Sequence, residues 1–493
     1  MRQADDRMLV LAPPGAGLTR QDWLTREIRR AILDGRLIAG ALLPASRDLA
    51  RLHGVSRGTV VAAYGQLADE GYVRGQVGRG TVVAARLAEP PRARRPQPVP
   101  ALDPGLSARG EALARPRFPM VPPAAGTQAF RAGQPDLEAF PLGLWTRLAA
   151  RRSRLNQRGL LADGDPRGYR PLREAIAAHV AASRGFACGP DDVVVVGSVQ
   201  QALDLAARLT LDPGDQAVVE DPGYPAAAQV LAAAGAVLVP VSVDAEGLDV
   251  ADALARAPSA RFVHVTPARQ APLGVPLSLA RRMRLIAWAA ETGAIVFEDD
   301  YDGEYRFAGR PLAALKSLDR ADKVIYAGTF SKLMFPGLRL AFVVLPDRLR
   351  EPFAAALSLT ARHAPLMTQV VLADFITEGH FGRHVRRMRV IYGERAEALN
   401  AAARDYWTGL VAVPPIEAGL DIAARLLRHG DDVAITRRAA AAGIETRPLS
   451  VWRQDRKGPA TPGLILGFAT TPPAMIRAAA AGLARVLEAA PRQ

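Results

Sequence analysis

The sequence predicts a two-part protein. A small N-terminal winged helix-turn-helix is joined through a Pro/Arg-rich linker to a large α/β domain built on a mostly parallel sheet. Three observations predict it. Helical periodicity followed by a Gly-rich hairpin fills residues 18–86. Residues 87–125 are crowded with proline and arginine, which oppose regular structure and keep the chain solvated. From 126 to 490, β-branched apolar runs alternate with helical ones, the pattern of strands connected by crossover helices. At 493 residues the chain is in any case too long for one ordinary domain.

Bulk composition narrows the partners. The chain carries 63 Lys+Arg against 49 Asp+Glu, a formal net charge of +14. That excess suits a nucleic acid or another polyanion, although a general preference for arginine would produce it too. A single cysteine, Cys188, excludes an internal disulfide and a multi-cysteine metal site, and no metal is expected. The first residues lack the apolar core of a signal peptide, and no apolar run is long enough to cross a bilayer. A cytoplasmic protein with no membrane partner is therefore expected.

The small segment is read in order. In "RQDWLTREIRRAILDG", Trp23, Leu24, Ile28, Ala31 and Ile32 share one helical face and Gly35 ends the helix. "SRDLARLHG" predicts a short second helix with Ser46 as N-cap and Gly54 as stop. "SRGTVVAAYGQLADEG" predicts a third, capped by Ser56 and closed by Gly71. "YVRGQVGRGTVVA" then predicts a hairpin. The short "HGVS" turn makes the third helix a recognition helix, presenting Ser56, Arg57 and Thr59 where such helices meet DNA. Arg57 is suited to fork onto a guanine, and Arg79 rides in a wing whose glycines permit close approach. Taken alone, Arg57 reads better as a solvated surface arginine; inside this architecture it reads as a DNA contact. The words "ILDGRLIAGALLPASRDLARLHGVSRGTVVAAYGQLADEGYV" and "GRGTVV" resemble the winged-helix domain of the GntR superfamily. That resemblance implies DNA contacts at Arg47, Arg57 and Thr59, with Gly78 in the wing.

In the large segment the strand-like runs are "DDVVVVG", "DQAVVED", "AVLVPVSV", "RFVHVTP", "AIVFEDD", "KVIYAG" and "RLAFVVLP". Ligands of such sheets gather at the strand ends, and three ends carry chemistry. "VVVGSVQQALDLAA" passes from strand to helix through Ser198, Val199 and Gln200, which offers either an anion seat or an ordinary capped helix. "IVFEDDYDGEY" sets acids behind an apolar strand, where they need a polar or cationic partner. Asp299 can hold a protonated ring nitrogen and Tyr301 can donate to a phenolate-like oxygen; a metal site or a solvated acidic loop are the alternatives. "YAGTFSKLMFPGLRL" contains Lys332, one of four lysines in a chain that otherwise uses arginine for positive charge. A lysine kept where arginine would serve for charge suggests amine chemistry. Thr329 and Ser331 add hydroxyls and Arg339 a guanidinium fork, the ingredients of a phosphate cup. Amine, cup and acid together are what pyridoxal 5'-phosphate requires.

The chain as a whole resembles the MocR family, of the GabR-like type. The words that carry this include "GDPRGYRPLREAIAAHV", "GSVQQALDLAARLTLDPGDQAVVEDPGYP", "TPARQAPLGVPLSLARRM", "FEDDYDGEYRF" and "IYAGTFSKLMFPGLRLAFVVLP". The resemblance implies a GntR-type winged helix joined to a domain with the fold of type I aminotransferases. It implies Lys332 as the residue that bonds the cofactor. Asp299, Tyr301, Ser198 and Arg339 become its ring and phosphate partners, and Tyr224 an aromatic cover, with a core tyrosine as the other reading. The expected function is a pyridoxal-phosphate-dependent, DNA-binding transcriptional regulator that senses an amino compound, as a homodimer on double-stranded operator DNA. The alternative is a working aminotransferase with an appended DNA-binding domain, and residual transaminase activity fits either.

Three departures qualify the resemblance. Asp163 stands about where the family often has a tyrosine that reaches a neighbouring subunit's cofactor phosphate. Ala271 replaces the asparagine of the usual "NPTG". "GLILGFAT" lacks the arginine that normally takes the substrate carboxylate; Arg447 and Arg453 are the nearby substitutes.

Overall fold

In the first helix, α1 (Arg20–Leu33), the Thr19 hydroxyl accepts the Asp22 amide and so supplies one of the partners a helix start lacks. Its apolar face buries Trp23, Leu24, Ile28, Ala31 and Ile32. Helices α2 (Ser46–His53) and α3 (Arg57–Asp69) and the antiparallel hairpin β1 (Val73–Gln76)–β2 (Gly80–Val83) complete this unit. Leu49, Val60, Ala63, Leu67, Val73 and Val83 close its core. Ser56 caps α3 by accepting the Thr59 amide at 3.0 Å, and Gly54 ends α2 in a left-handed turn. Ser46 is not a cap. It is the first residue inside α2, and Ala45 stands at the cap position with no side-chain bond to offer.

The computed structural model describes residues 11–13, 18–76, 79–84, 105–114, 129–155, 159, 161–309, 312–428, 430–455 and 461–490. The chain separates into two compact units, Met1–Gly105 and Leu106–Gln493. Gly78 lies outside the described residues, as does most of 87–125. Within that proline-rich stretch, Ala108–Ala114 forms a short helix, in the eleven-residue run between Pro104 and Pro116 that contains no proline.

The large unit is organised by an eight-stranded sheet. Its strands are β3 (Val193–Val196), β4 (Gln216–Asp221), β5 (Val237–Asp244), β6 (Gly247–Leu248), β7 (Phe262–Val265), β8 (Ile295–Asp300), β9 (Val324–Thr329) and β10 (Ala341–Val344). They lie in the order β3-β10-β9-β8-β7-β4-β5-β6. Strands β5, β4, β7, β8 and β9 are mutually parallel, while β10 runs antiparallel between β3 and β9. Both faces are covered. Val193 and Val195 enter one apolar cluster and Val194 and Val196 the other, which is why this strand reads as unbroken valine. A second, antiparallel sheet of β11 (Val411–Ala412), β12 (Asp421–Leu426), β13 (Arg447–Pro448) and β14 (Gly463–Gly467), ordered β11-β12-β14-β13, was not expected as a sheet. No helix among the described residues is long and apolar enough to cross a membrane.

Candidate functional site

The direction of β10 gathers the site. Ala341 pairs with Val196 on one side and Thr329 on the other. Ser198, two residues past Val196, Arg339, two residues before Ala341, and Thr329 are thereby brought to one end of the sheet. The Ser198 hydroxyl accepts the Gln201 amide at 3.1 Å at the start of helix Val199–Thr210. The Thr329 hydroxyl accepts the Ser331 amide at 3.1 Å. Each hydroxyl keeps its own proton to donate. Arg339 follows a short 3-10 turn in left-handed backbone at φ +50°, a conformation that costs a non-glycine residue about 1–2 kcal/mol. Its guanidinium has no hydrogen bond or ion pair among the described residues. Val199 and Gln200 open the same helix. Gln200 is exposed, and its Nε2 donates to the Tyr224 hydroxyl at 3.2 Å.

Lys332 lies one turn beyond Thr329, in helix Phe330–Leu333. Its Nζ donates to the Gly133 carbonyl. Gly133 has φ +70°, a conformation that favours glycine, and a Cβ there would stand a tight 3.1 Å from the amine. Burial lowers the Lys332 amine below the usual lysine range, against the opposing pull of Asp421. A buried, less basic amine has a larger neutral and nucleophilic fraction at neutral pH.

Asp299 lies on β8 in register with Ala327, two residues before Thr329. It is buried, and its Oδ2 lies 3.7 Å from His264 Nε2, too far for a good hydrogen bond. Asp299 Oδ1 and His264 Nε2 are both buried without a hydrogen-bond partner among the described residues. An orphaned buried carboxylate is costly, and a protonated ring nitrogen would satisfy it. The Tyr301 hydroxyl accepts from Arg269 Nη1 at 2.6 Å, which leaves its own proton free for an acceptor. The Tyr224 ring is 6.2 Å from that of Trp452, and burial pushes its phenol up to about 12.

Four residues of this site were missed by the sequence reading: Arg269, Asp302, Asp421 and Gly133. Arg269 is buried and reaches Tyr301, Asp302 Oδ2 at 3.0 Å, and both the carbonyl and Oδ1 of Asp421, the latter at 3.3 Å. Gly419 leaves the room it needs, since a Cβ there would lie 2.4 Å from the guanidinium. A buried arginine in "TPARQ" and an acid opening the strand "DIAARL" were the available signals. Of the substitutes for the missing carboxylate arginine, Arg447 is exposed on β13 and directly paired with Ile465 of β14. Arg453 follows the turn Leu449–Trp452. Asp163 is exposed beside His363, 4.0 Å away. That ring accepts the Gly164 amide on Nε2 and faces the Ala364 carbonyl with Nδ1, the neutral arrangement, so the two form no ion pair.

In the small unit, Arg47, Arg57 and Arg79 are exposed, and none has a side-chain partner among the described residues. Arg29, Arg30 and Arg51 of the same unit are all paired with acids. Arg20, Arg26 and Arg74 are likewise exposed without a side-chain partner among the described residues, but Arg47, Arg57 and Arg79 are the ones at the start of α2, the start of α3 and the wing. The Leu43 amide donates to the Thr81 carbonyl, tying the wing to the segment that leads into α2. The Ser56 and Thr59 hydroxyls lie 2.8 Å apart at the start of α3.

Comparison with known proteins agrees with this organisation. Residues 130–416 match the family described as aminotransferase class I and II, and residues 21–83 match bacterial regulatory proteins of the gntR family. The chain is 39% identical over 455 residues to a probable rhizopine catabolism regulatory protein, MocR, of Rhizobium meliloti, covering 92% of this chain and 91% of that one. It is 35% identical over 407 residues to the transcriptional regulator TauR of Rhodobacter capsulatus, covering 80% and 81%. Among solved structures, α-aminoadipate aminotransferase LysN of Thermus thermophilus, complexed with N-(5'-phosphopyridoxyl)-L-leucine, is 28% identical with a TM-score of 0.70, over 77% of this chain and 97% of that one. The fold is that of the pyridoxal-phosphate-dependent transferases, and the residues present fit the cofactor's chemistry: a buried amine, an orphaned carboxylate and a guanidinium without a partner among the described residues. A gntR-type winged helix and a class I and II aminotransferase domain in one chain, at this identity and coverage, place the protein in the MocR family of transcriptional regulators.

Proposed function

We propose that the protein is a cytoplasmic homodimer that binds paired operator half-sites on double-stranded DNA and changes its hold on them when a small amine reaches Lys332. Residues 18–86 bind DNA, 87–125 link, and 126–490 hold the cofactor, the effector and the second subunit. Arg57, Arg47, Ser56, Thr59 and the wing, with Gly78 and Arg79, are its DNA contacts. Lys332 anchors pyridoxal phosphate. Asp299 meets its ring nitrogen, Tyr301 its ring oxygen, and Tyr224 covers it. Ser198, Val199, Gln200, Thr329, Ser331 and Arg339 surround its phosphate. The bound cofactor supplies an aldehyde for amines and an electron-withdrawing ring.

The observation that carries this reading is a buried, less basic Lys332 amine in the same chain as a winged helix with unpaired arginines. A regulator needs its effector to bind two conformations unequally. The test is fluorescence anisotropy of cofactor-loaded protein on operator DNA while amines are titrated and the cofactor's visible absorption is followed. The absorption change and the change in DNA affinity should saturate together. An absorption change with no change in DNA affinity would overturn the sensor assignment.

A working aminotransferase is the second reading, and β14 weighs against it, because Gly463–Gly467 offers no arginine to orient a substrate carboxylate. Turnover with pyruvate or 2-oxoglutarate at about 1 per second or faster would restore it.

A further inference from the structure

One acid beside Lys332 has no task in holding the cofactor. Asp421 opens β12, and Arg269 grips its carbonyl and Oδ1. Its Oδ2 makes no hydrogen bond among the described residues, and 15% of the side chain is accessible. A Cβ built on Gly133 would lie 3.1 Å from Lys332 Nζ and 3.9 Å from Asp421 Oδ2, so amine and carboxylate face the same glycine and are at most 7.0 Å apart.

The surrounding charge leaves that oxygen available. Arg269 is one guanidinium divided between Asp302 and Asp421, with the Tyr301 phenol on the same nitrogen as Asp302. Asp302 is 1% exposed, and its Oδ1 has no hydrogen-bond partner among the described residues. The sheet behind Asp421 adds one cation, Arg447, whose charge is felt at Lys332 but which makes no ion pair with Asp421 among the described residues. Residues in register or two apart on neighbouring strands share a face. Asp421 therefore shares its face with Ala423 and Ile465, and the exposed Arg447 closes the row on the edge strand two strands away.

We propose that Asp421 selects the effector. The amine that reaches Lys332 carries a second hydrogen-bond donor, an ammonium or a hydroxyl, and Asp421 Oδ2 accepts it; a carboxylate in that place is repelled. This deepens the amine-sensor reading and rests on it.

The test uses the full-length, cofactor-loaded protein and four probes of matched chain length: 1,3-diaminopropane, 3-aminopropan-1-ol, propylamine and β-alanine. Apparent affinities come from the cofactor's visible absorption. The diamine or the amino alcohol should bind at least tenfold more tightly than both propylamine and β-alanine. Asp421→Asn should cut the diamine's advantage at least tenfold. β-Alanine binding best, or propylamine binding as tightly as the donors, would overturn the assignment. Selectivity that survives in Asp421→Asn would also overturn it, and if that variant does not fold, the wild-type ranking alone decides. A wild-type protein with no visible absorption after cofactor loading would instead overturn the cofactor reading, and this assignment with it.

Discussion

Arg184→Leu should be among the most damaging single changes in the large unit. Arg184 ends helix Arg170–Arg184, and its side chain is only 5% exposed. Its Nε lies 2.8 Å from Asp300 Oδ2 and donates to Tyr326 at 3.2 Å, Nη1 donates to the Gly303 carbonyl at 3.2 Å, and Nη2 lies 3.4 Å from Glu304. Leucine would leave Asp300, 2% exposed, with only the Tyr326 hydroxyl at 2.7 Å and the Gly303 amide at 3.2 Å. Removing one partner of a buried pair costs about 3–5 kcal/mol, because the other charge is left uncompensated. With an unfolding entropy of about 2.1 cal/mol/K per residue, a unit of this size loses about 1 °C for each kcal/mol, so Tm should fall by roughly 4–6 °C. Differential scanning calorimetry reads this directly. The double variant Arg184→Leu/Asp300→Leu should recover part of the loss, since no charge is then stranded. A fall under about 1 °C, or a double variant that loses the full sum of the two single changes, would refute the account of a coupled pair.

Other outcomes follow from the same geometry. Borohydride reduction of the loaded protein followed by peptide mapping should place the cofactor on Lys332, and label on Lys316, Lys323 or Lys457 would overturn the site. Arg57→Ala should weaken operator binding by about 1–3 kcal/mol while sparing scrambled DNA, if the fork reads a guanine; anisotropy on both DNAs separates base reading from phosphate contact. Burial alone would raise the Glu304 acid, but His179, Arg184 and Arg389 outweigh it and hold it at about 2. A depressed acid stabilises the fold above its unfolded pKa, and that contribution disappears as pH falls from about 4.5 to about 2. Acid titration followed by circular dichroism should show the loss in wild type and a smaller one in Arg184→Leu.

The strands of the large sheet were legible because they are buried on both faces and therefore read as continuous apolar runs. Lys332 was legible because lysine is rare in this chain. The reversed direction of β10 was not legible: "RLAFVVLP" has the same grammar as its parallel neighbours, and direction depends on pairing partners far away in sequence. The small sheet escaped notice because β11 and β13 have only two residues each, too few to show an alternation. Arg269, Asp421 and Gly133 were missed for another reason. Arg269 meets Asp421 across 152 positions, and Lys332 meets Gly133 across 199. No local pattern marks such meetings. Ser46 shows the ordinary one-residue slip of a boundary inferred from residue type.

The placement of β10 also orders assembly. Ser198 belongs to one stretch of chain and Thr329 and Arg339 to another, and the insertion of Ala341–Val344 between β3 and β9 sets them at one end of the sheet. Until that strand is seated, a growing or refolding chain has no complete seat for an anion. On the proposed site, the cofactor's binding energy would be added to the finished sheet alone.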